Sequence, residues 1–142
     1  MEMPLHALLA GAWVGCVLVE ALFERALLGQ GRDKELILAR LHWKVDLFIE
    51  GPLLASVAVT GLLIVRPIFA AQAVDVLLQA KLVFAALAIL ANIWCIRLVK
   101  VRLNYAEAGE WEAFERVDNS QHRWGALVLV GLLGSAILGL VR

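Results

Sequence analysis

Residues 45–65 read VDLFIEGPLLASVAVTGLLIV, an apolar run that contains two carboxylates, Asp46 and Glu50. About 20 apolar residues in a helix cross the hydrocarbon core of a bilayer. A charged side chain at the centre of such a helix costs about 2.5–3.5 kcal/mol or more, which makes it a candidate for function. This run therefore predicts a membrane helix that carries part of a functional site.

Three further apolar runs have similar lengths, and they predict the fold class. Of the 142 residues, 62% are hydrophobic and the mean hydropathy is +0.82, which is too apolar for a soluble domain. Only helices satisfy their own backbone hydrogen bonds in lipid without closing into a barrel. We therefore expect an all-α, four-helix transmembrane bundle forming a single domain over residues 1–142. The spans are expected at roughly residues 4–28, 45–65, 74–101 and 122–141, and the second helix is expected to begin near Asp33 and to end at Arg66-Pro67.

Basic residues predict the orientation. They concentrate in the first connection (Arg25, Arg32, Lys34, Arg40, Lys44) and in the third (Arg97, Lys100, Arg102, Arg116, Arg123). The positive-inside rule places both connections in the cytoplasm of a bacterial inner (plasma) membrane. The N and C termini then lie on the outer side, which is the periplasm of a Gram-negative cell. The lipid bilayer is the expected partner, a net charge of zero indicates no nucleic acid, and glycines in the fourth span are compatible with a homodimer.

Polar residues occur near the same end of every span. Because span direction alternates, residues late in odd spans and early in even spans meet at the cytoplasmic end. The second span places its polar residues at i, i+4 and i+8, which is one face of a helix. The residues are Glu20 and Glu24, then His42, Asp46 and Glu50, then Asn92 and Cys95, then Asp118 and His122.

Five carboxylates and two imidazoles in one cluster predict a metal site. Four-helix bundles that hold two iron or manganese ions use four carboxylates and two histidines, although with a Glu-x-x-His spacing that this chain lacks. Oxygen and nitrogen ligands suit zinc, iron, manganese or copper(II). We therefore predict a dinuclear centre with two ions, either catalytic or part of a transport path, with Asn92 orienting a ligand or a bound water. The expected ligands are Glu20, Glu24, His42, Asp46, Glu50, Asp118 and His122.

Two alternatives stay open at this point. The carboxylates can be helix-end groups paired with basic residues: Glu24 follows this pattern beside Arg25, and Asp118 is a candidate helix cap or partner of Arg123. Lys44, Arg97 and Arg123 are the expected neutralising groups. The second alternative is haem, since His42 and His122 begin parallel spans at equal depth and can both ligate one iron.

Two more polar residues lie near the opposite end of the bundle. His6 and Lys81 share the helix faces of the cluster and are expected near the outer surface. Lys81 is about a turn and a half inside its span, so its ammonium can extend to the interface. A second polar layer for proton or ligand entry is the functional interpretation.

The order of these features resembles the CopD/HemJ-like family of small four-span bacterial membrane proteins. Residues 5–15, LHALLAGAWVG, are similar to that family's LH…WxGG opening, with Cys16 at the second glycine position. GPLL at 51–54, TGLL at 60–63, AKLV at 80–83 and WCIRL at 94–98 are similar to its second and third spans.

The resemblance implies a four-span fold and a haem b or copper function. In HemJ-like proteins, which bind haem b and oxidise protoporphyrinogen, residues at the positions of His6 and Lys81 are functionally important, whereas CopD-like proteins are linked to copper handling. This chain departs from the HemJ pattern because Asn92 and Ile93 stand where a third-span histidine is expected. It also adds histidines and a carboxylate in the even spans, which favours a branch with a different metal site.

Overall fold

The computed structural model describes residues 2–141, and every regular element in that range is helical. The order is α1 (Glu2–Leu27), α2 (Arg32–Val45), a π turn (Asp46–Glu50), α3 (Gly51–Ala70), α4 (Val76–Ala108) and α5 (Trp111–Val141). Because α2, the π turn and α3 run on without a break, the chain has four helices long and apolar enough to cross a membrane. The predicted all-α, four-helix bundle of a multi-pass membrane protein is confirmed at this level.

The distribution of apolar side chains suits a lipid environment. Large hydrophobic residues such as Leu8, Phe48 and Val83 are exposed on the outside of the bundle. The interior at its middle contains Trp13 together with small residues such as Ala88. Without a hydrophobic driving force between helices in lipid, small residues allow the close packing that holds membrane helices together.

The π turn lies in the middle of the longest helix and has a local cause. Pro52 has no N–H to offer the Phe48 carbonyl, and its ring displaces that carbonyl. The Gly51 N–H instead reaches back to the Asp46 carbonyl, one residue further than in an α-helix. A Cβ at position 51 would lie 2.9 Å from that same oxygen, so the close approach requires glycine.

The π turn also aligns the polar face. A step of four residues runs slightly past one full turn in an α-helix and falls slightly short of one in the wider π turn. The step from His42 to Asp46 follows α2 and the step from Asp46 to Glu50 follows the π turn, so their rotational offsets have opposite signs. All three side chains are consequently buried on one side of the helix.

Three expected helix ends need correction. The second helix begins at Arg32 with Gly31 as its N-cap, so Asp33 lies in the first turn. It does not end at Arg66-Pro67, because α3 continues through Pro67 to Ala70. Proline is tolerated in membrane helices when neighbouring groups satisfy the freed backbone, and the Pro67 carbonyl still accepts from the Ala71 N–H at 3.0 Å. The third helix extends to Ala108, seven residues beyond the expected end.

The tightest pair of helices is α4 and α5, which are joined by a two-residue turn. Gly131 of α5 lies directly on the α4 backbone. A Cβ at position 131 would come within 2.8 Å of the Ala88 nitrogen and the Phe84 carbonyl oxygen. Gly125, one and a half turns earlier on α5, has no neighbouring heavy atom within 4 Å of the same point. Gly131 is therefore required for the packing of α4 against α5, whereas Gly125 is not.

We expect Gly131→Ala to lower the free energy of unfolding by about 1–3 kcal/mol, because the added methyl group forces α4 and α5 apart. Gly125→Ala is the matched control, and it should be neutral or up to about 1 kcal/mol more stable, since alanine favours the helix. Thermal unfolding of both variants in the same detergent measures the difference. Equal midpoints for the two variants would contradict this account of the α4–α5 contact.

Candidate metal centre

Arg102 is at the centre of the buried polar cluster. It lies on α4 with none of its side chain exposed. Its guanidinium donates to Glu24 of α1 through both Nη atoms, at 2.6 and 3.1 Å, and to Asp118 of α5 at 2.5 Å. A planar guanidinium is suited to such forked contacts with carboxylates. Two of the five predicted carboxylates therefore pair with one arginine that ties three helices together.

His42 is oriented by the same carboxylate. Its Nδ1 atom lies 2.6 Å from Glu24 Oε1 and 3.0 Å from Arg102 Nη2. Arginine favours the ionised form of Glu24, and an ionised carboxylate only accepts, so the short contact is Nδ1–H donating to Glu24. In the neutral imidazole, this assignment of the proton leaves a lone pair on Nε2. A histidine that donates one nitrogen to a carboxylate and offers the other is the usual arrangement of a metal ligand.

The free Nε2 atom faces two more carboxylates. It is 3.7 Å from Glu20 Oε2 and 3.7 Å from Asp46 Oδ1. These distances are too long for hydrogen bonds. A tetrahedral ion with ligands at about 2.1 Å holds neighbouring donor atoms about 3.4 Å apart. One ligand atom from each of Glu20, His42 and Asp46 fits within a group whose members are all within 4.8 Å of one another. The distances between these ligand atoms thus suit coordination of a shared ion better than direct hydrogen bonds.

Asp46 is the least satisfied group of the cluster. Its side chain is 1% exposed, and neither carboxylate oxygen has a hydrogen-bond partner among the described residues. Glu50, one step along the same helix, is also buried and accepts a hydrogen bond from the Trp13 indole at 3.3 Å. Cys16 Sγ lies 3.7 Å from Glu20 Oε1. Buried polar groups without partners are rare in native proteins and need an explanation, such as an ion.

A second group of ligand atoms comes from Glu24, Asp118 and His122, again within 4.8 Å of one another. Its members differ from the first group in charge and burial. Arg102 already pairs with both carboxylates, while the His122 side chain is 49% exposed and its Nδ1 lies 2.8 Å from the Asp118 carbonyl oxygen. A cation in this second group would have to compete with the guanidinium.

A cavity of about 580 Å³ opens beside the cluster, between α1 and α5. The cluster residues Glu20, His42, Asp46 and Glu50 form part of its wall, and His122 lies on the α5 side. Cavities of 300–1,000 Å³ with apolar walls and a few polar groups are typical of small-molecule sites. The cavity gives the cluster room for a molecule larger than water.

The predicted outer layer has its own contacts. His6 Nδ1 lies 2.8 Å from Thr60 Oγ1, whose hydroxyl also lies 2.8 Å from the Ser56 carbonyl oxygen. Since the hydroxyl proton is used there, Thr60 Oγ1 accepts a hydrogen bond from His6 Nδ1. Lys81 lies against α5, with its Nζ 2.9 Å from the point where Gly139 would carry a Cβ. The two residues thus contact different helices, α3 and α5.

Most of the predicted residues are brought together, and their partners differ from those expected. The structure buries Glu20, Glu24, His42, Asp46, Glu50, Asn92 and Asp118. The predicted neutralising groups were wrong: Lys44, Arg97 and Arg123 are exposed, and Arg97 stacks over Trp94 at 5.2 Å. Asp118 and Glu24 pair with Arg102 instead of Arg123 and Arg25.

Sequence reasoning missed two members of the site, Arg102 and Gln121. Both follow the helix faces already identified: Asn92, Cys95, Val99 and Arg102 are spaced 3-4-3, and Gln121 comes three residues after Asp118. Arg102 was assigned to a connection because the third span was expected to end at 101. Extending the 3-4 pattern past that boundary would have found it.

Comparison with known proteins adds no assignment: no family model, no curated protein and no solved structure matches the chain. Any function must therefore be argued from the site itself.

Proposed function

We propose that the protein is an integral membrane metalloprotein that binds a divalent transition-metal ion through Glu20, His42 Nε2 and Asp46. The observation that carries the proposal is the Asp46 carboxylate, which is almost completely buried and has no hydrogen-bond partner among the described residues. It faces the free nitrogen of a histidine whose other nitrogen is bonded to a carboxylate. A cation between them would satisfy both.

The charge balance of the cluster supports an ion. The cluster contains five buried carboxylates, from Glu20, Glu24, Asp46, Glu50 and Asp118, and Arg102 is the one buried arginine among the described residues. Arg102 pairs with Glu24 and Asp118, but its single positive charge offsets only one of them. The other three carboxylates lie around one imidazole. Like charges at close range in a low-dielectric interior cannot all stay ionised without a counter-charge. One divalent cation supplies about half of the missing counter-charge, and protonation of the carboxylates is the competing solution.

The donor set limits the ion and its chemistry. One imidazole with carboxylates suits zinc, iron, manganese or copper(II). Three protein ligands leave a coordination position open, as in catalytic zinc sites, and such an ion can act as a Lewis acid or activate water or dioxygen. Glu50 lies beside the site, held by Trp13, and is the candidate base for metal-assisted oxidation or hydrolysis. Metal transport is the alternative role for the same ligands.

A second ion in the Glu24, Asp118 and His122 group would complete the dinuclear centre predicted from the ligand count. We propose that this position is the weaker one, since the Arg102 guanidinium pairs with two of its three ligands. From the positions of the basic connections, we also propose that the centre lies near the cytoplasmic side of a bacterial inner membrane.

Haem b is the second candidate, and one observation favours it. His42 and His122 both line the 580 Å³ cavity, so one group in the cavity can approach both imidazoles. The carboxylates around His42 argue against it, because haem iron needs no anionic shell.

Elemental analysis and an ultraviolet–visible spectrum of one detergent-purified sample test the proposal. About one equivalent of zinc, iron, manganese or copper without a Soret band is the expected result, and two equivalents would fill the second position as well. Reversible loading and ion uptake into liposomes would favour transport over catalysis. A Soret band would replace the proposal with haem, and protein that stays metal-free after loading would leave a protonated carboxylate cluster.

A further inference from the structure

The cavity beside the cluster opens between α1 and α5, two helices that make few contacts with each other. Its walls there are apolar: Val17 and Ala21 from α1, Leu28 just after α1, and Gly125, Ala126 and Leu129 from α5. Both helices are candidate membrane spans, so the gap between them faces lipid. A molecule that enters this cavity therefore comes from the membrane and has an apolar body.

Two buried amides mark the polar end of the cavity. Asn92 of α4 is 3% exposed and Gln121 of α5 is 7% exposed, and both line the wall. Asn92 Nδ2 and Gln121 Oε1 have no hydrogen-bond partner among residues 3–141. Buried amide groups without partners are destabilising, and these two offer one donor and one acceptor. A ligand that both accepts and donates a hydrogen bond would satisfy them.

The charge of the wall selects against an anionic head group. Glu20, Glu24, Asp46 and Glu50 all line the cavity, and Arg25 is the one arginine in its lining. A fatty acid or a phosphate would bring a further negative charge beside these carboxylates in a low dielectric. A hydroxyl group is neutral and both accepts and donates, so it matches the two amides without this penalty.

We propose that the cavity binds a neutral, lipid-soluble alcohol or phenol, which enters between α1 and α5 and directs its hydroxyl to Asn92 and Gln121. The binding rests on the cavity and the two amides, so it holds whether or not the neighbouring Glu20, His42 and Asp46 group carries an ion. Where an ion is bound, the same ligand reaches the metal centre from the lipid side.

Photolabelling of the full chain in lipid nanodiscs tests the proposal. The probes are dodecanol, dodecanoic acid and dodecane, each carrying a diazirine in the chain. The alcohol is expected to label the α1 and α5 walls, more strongly than the acid or the alkane. Gly125→Leu fills open space in the cavity and should abolish this labelling, whereas Gly11→Leu, at an exposed glycine with equally open surroundings, should leave it intact.

A second variant, Asn92→Leu, tests the proposal independently if Gly125→Leu perturbs the fold. Asn92→Leu removes one buried hydrogen bond and should weaken alcohol binding about tenfold, while labelling by dodecane stays unchanged. Equal labelling by dodecane and the alcohol would show acyl chains filling the cavity, and stronger labelling by the acid would reverse the charge argument; either result overturns the proposal. Metal content of the same samples separates this outcome from failure of the metal site.

Discussion

Arg102→Met is expected to lower the free energy of unfolding by about 3–5 kcal/mol, the cost of leaving buried partners of a charge pair without their counter-charge. The guanidinium is completely buried and bonds to Glu24 and Asp118. Its loss leaves two carboxylates facing each other at the junction of α1, α4 and α5. Thermal unfolding in detergent, with size-exclusion profiles of the purified variants, measures the effect.

Two control variants separate this mechanism from general damage to α4. Arg97→Met removes an exposed arginine one and a half turns away, which stacks on Trp94, and should change stability by less than about 1 kcal/mol. The triple variant Arg102→Met, Glu24→Gln, Asp118→Asn removes the charges together and should recover a large part of the loss. If Arg102→Met is as stable as Arg97→Met, the ion pairs of Arg102 do not stabilise the cluster.

The second large effect is on metal affinity. His42→Gln is expected to reduce the affinity for zinc or manganese by more than the roughly 10–100-fold that the loss of an outer hydrogen-bond partner costs. Asp46→Asn should do the same, because both residues supply ligand atoms to one ion. Competition with a coloured chelator on detergent-purified protein gives the dissociation constants.

Glu24 and His122 provide graded comparisons for this series. Glu24→Gln keeps an acceptor near His42 Nδ1 but removes the charge that orients the ring, and it should cost about 10–100-fold. His122→Gln should leave the first ion unchanged, since His122 is half-exposed and belongs to the second group. Equal losses in His42→Gln and His122→Gln would instead assign one shared site to the two imidazoles, as in a haem with two histidine ligands.

The sequence was sufficient to predict the helices and the polar face, for a physical reason. Apolar length and the cost of charges in lipid restrict the chain to helices whose few carboxylates point inward. Glu20, Asp46 and Asp118 were found in this way, and all three are buried. The helical spacing of polar residues and the hydropathy of each segment depend only on local sequence, so tertiary packing does not change them.

The pairing within the site could not be predicted to the same extent. Which basic residue meets Asp118 depends on the rotation of α4 against α5, and that rotation is set by the Gly131 contact with Ala88 and Phe84. The helix pattern leads to Arg102 only when it is extended past residue 101, where the third span was expected to end. His122 was expected in the cluster and is half-exposed at its edge, because Asp118 and Gln121 take the inward positions on α5.

The π turn has a consequence for the rotational phase of the second membrane helix. Each residue of an α-helix turns the chain by about 100°, so the extra residue held in Asp46–Glu50 offsets everything before it from everything after it. The half with His42 presents its face to α1 and α4, and the half with Leu54 and Val57 presents its own face to the apolar core. In a regular α-helix of the same residues, only one of these two faces would point toward its partners. The π turn therefore allows one helix to contribute both to the polar site and to the apolar core of the bundle.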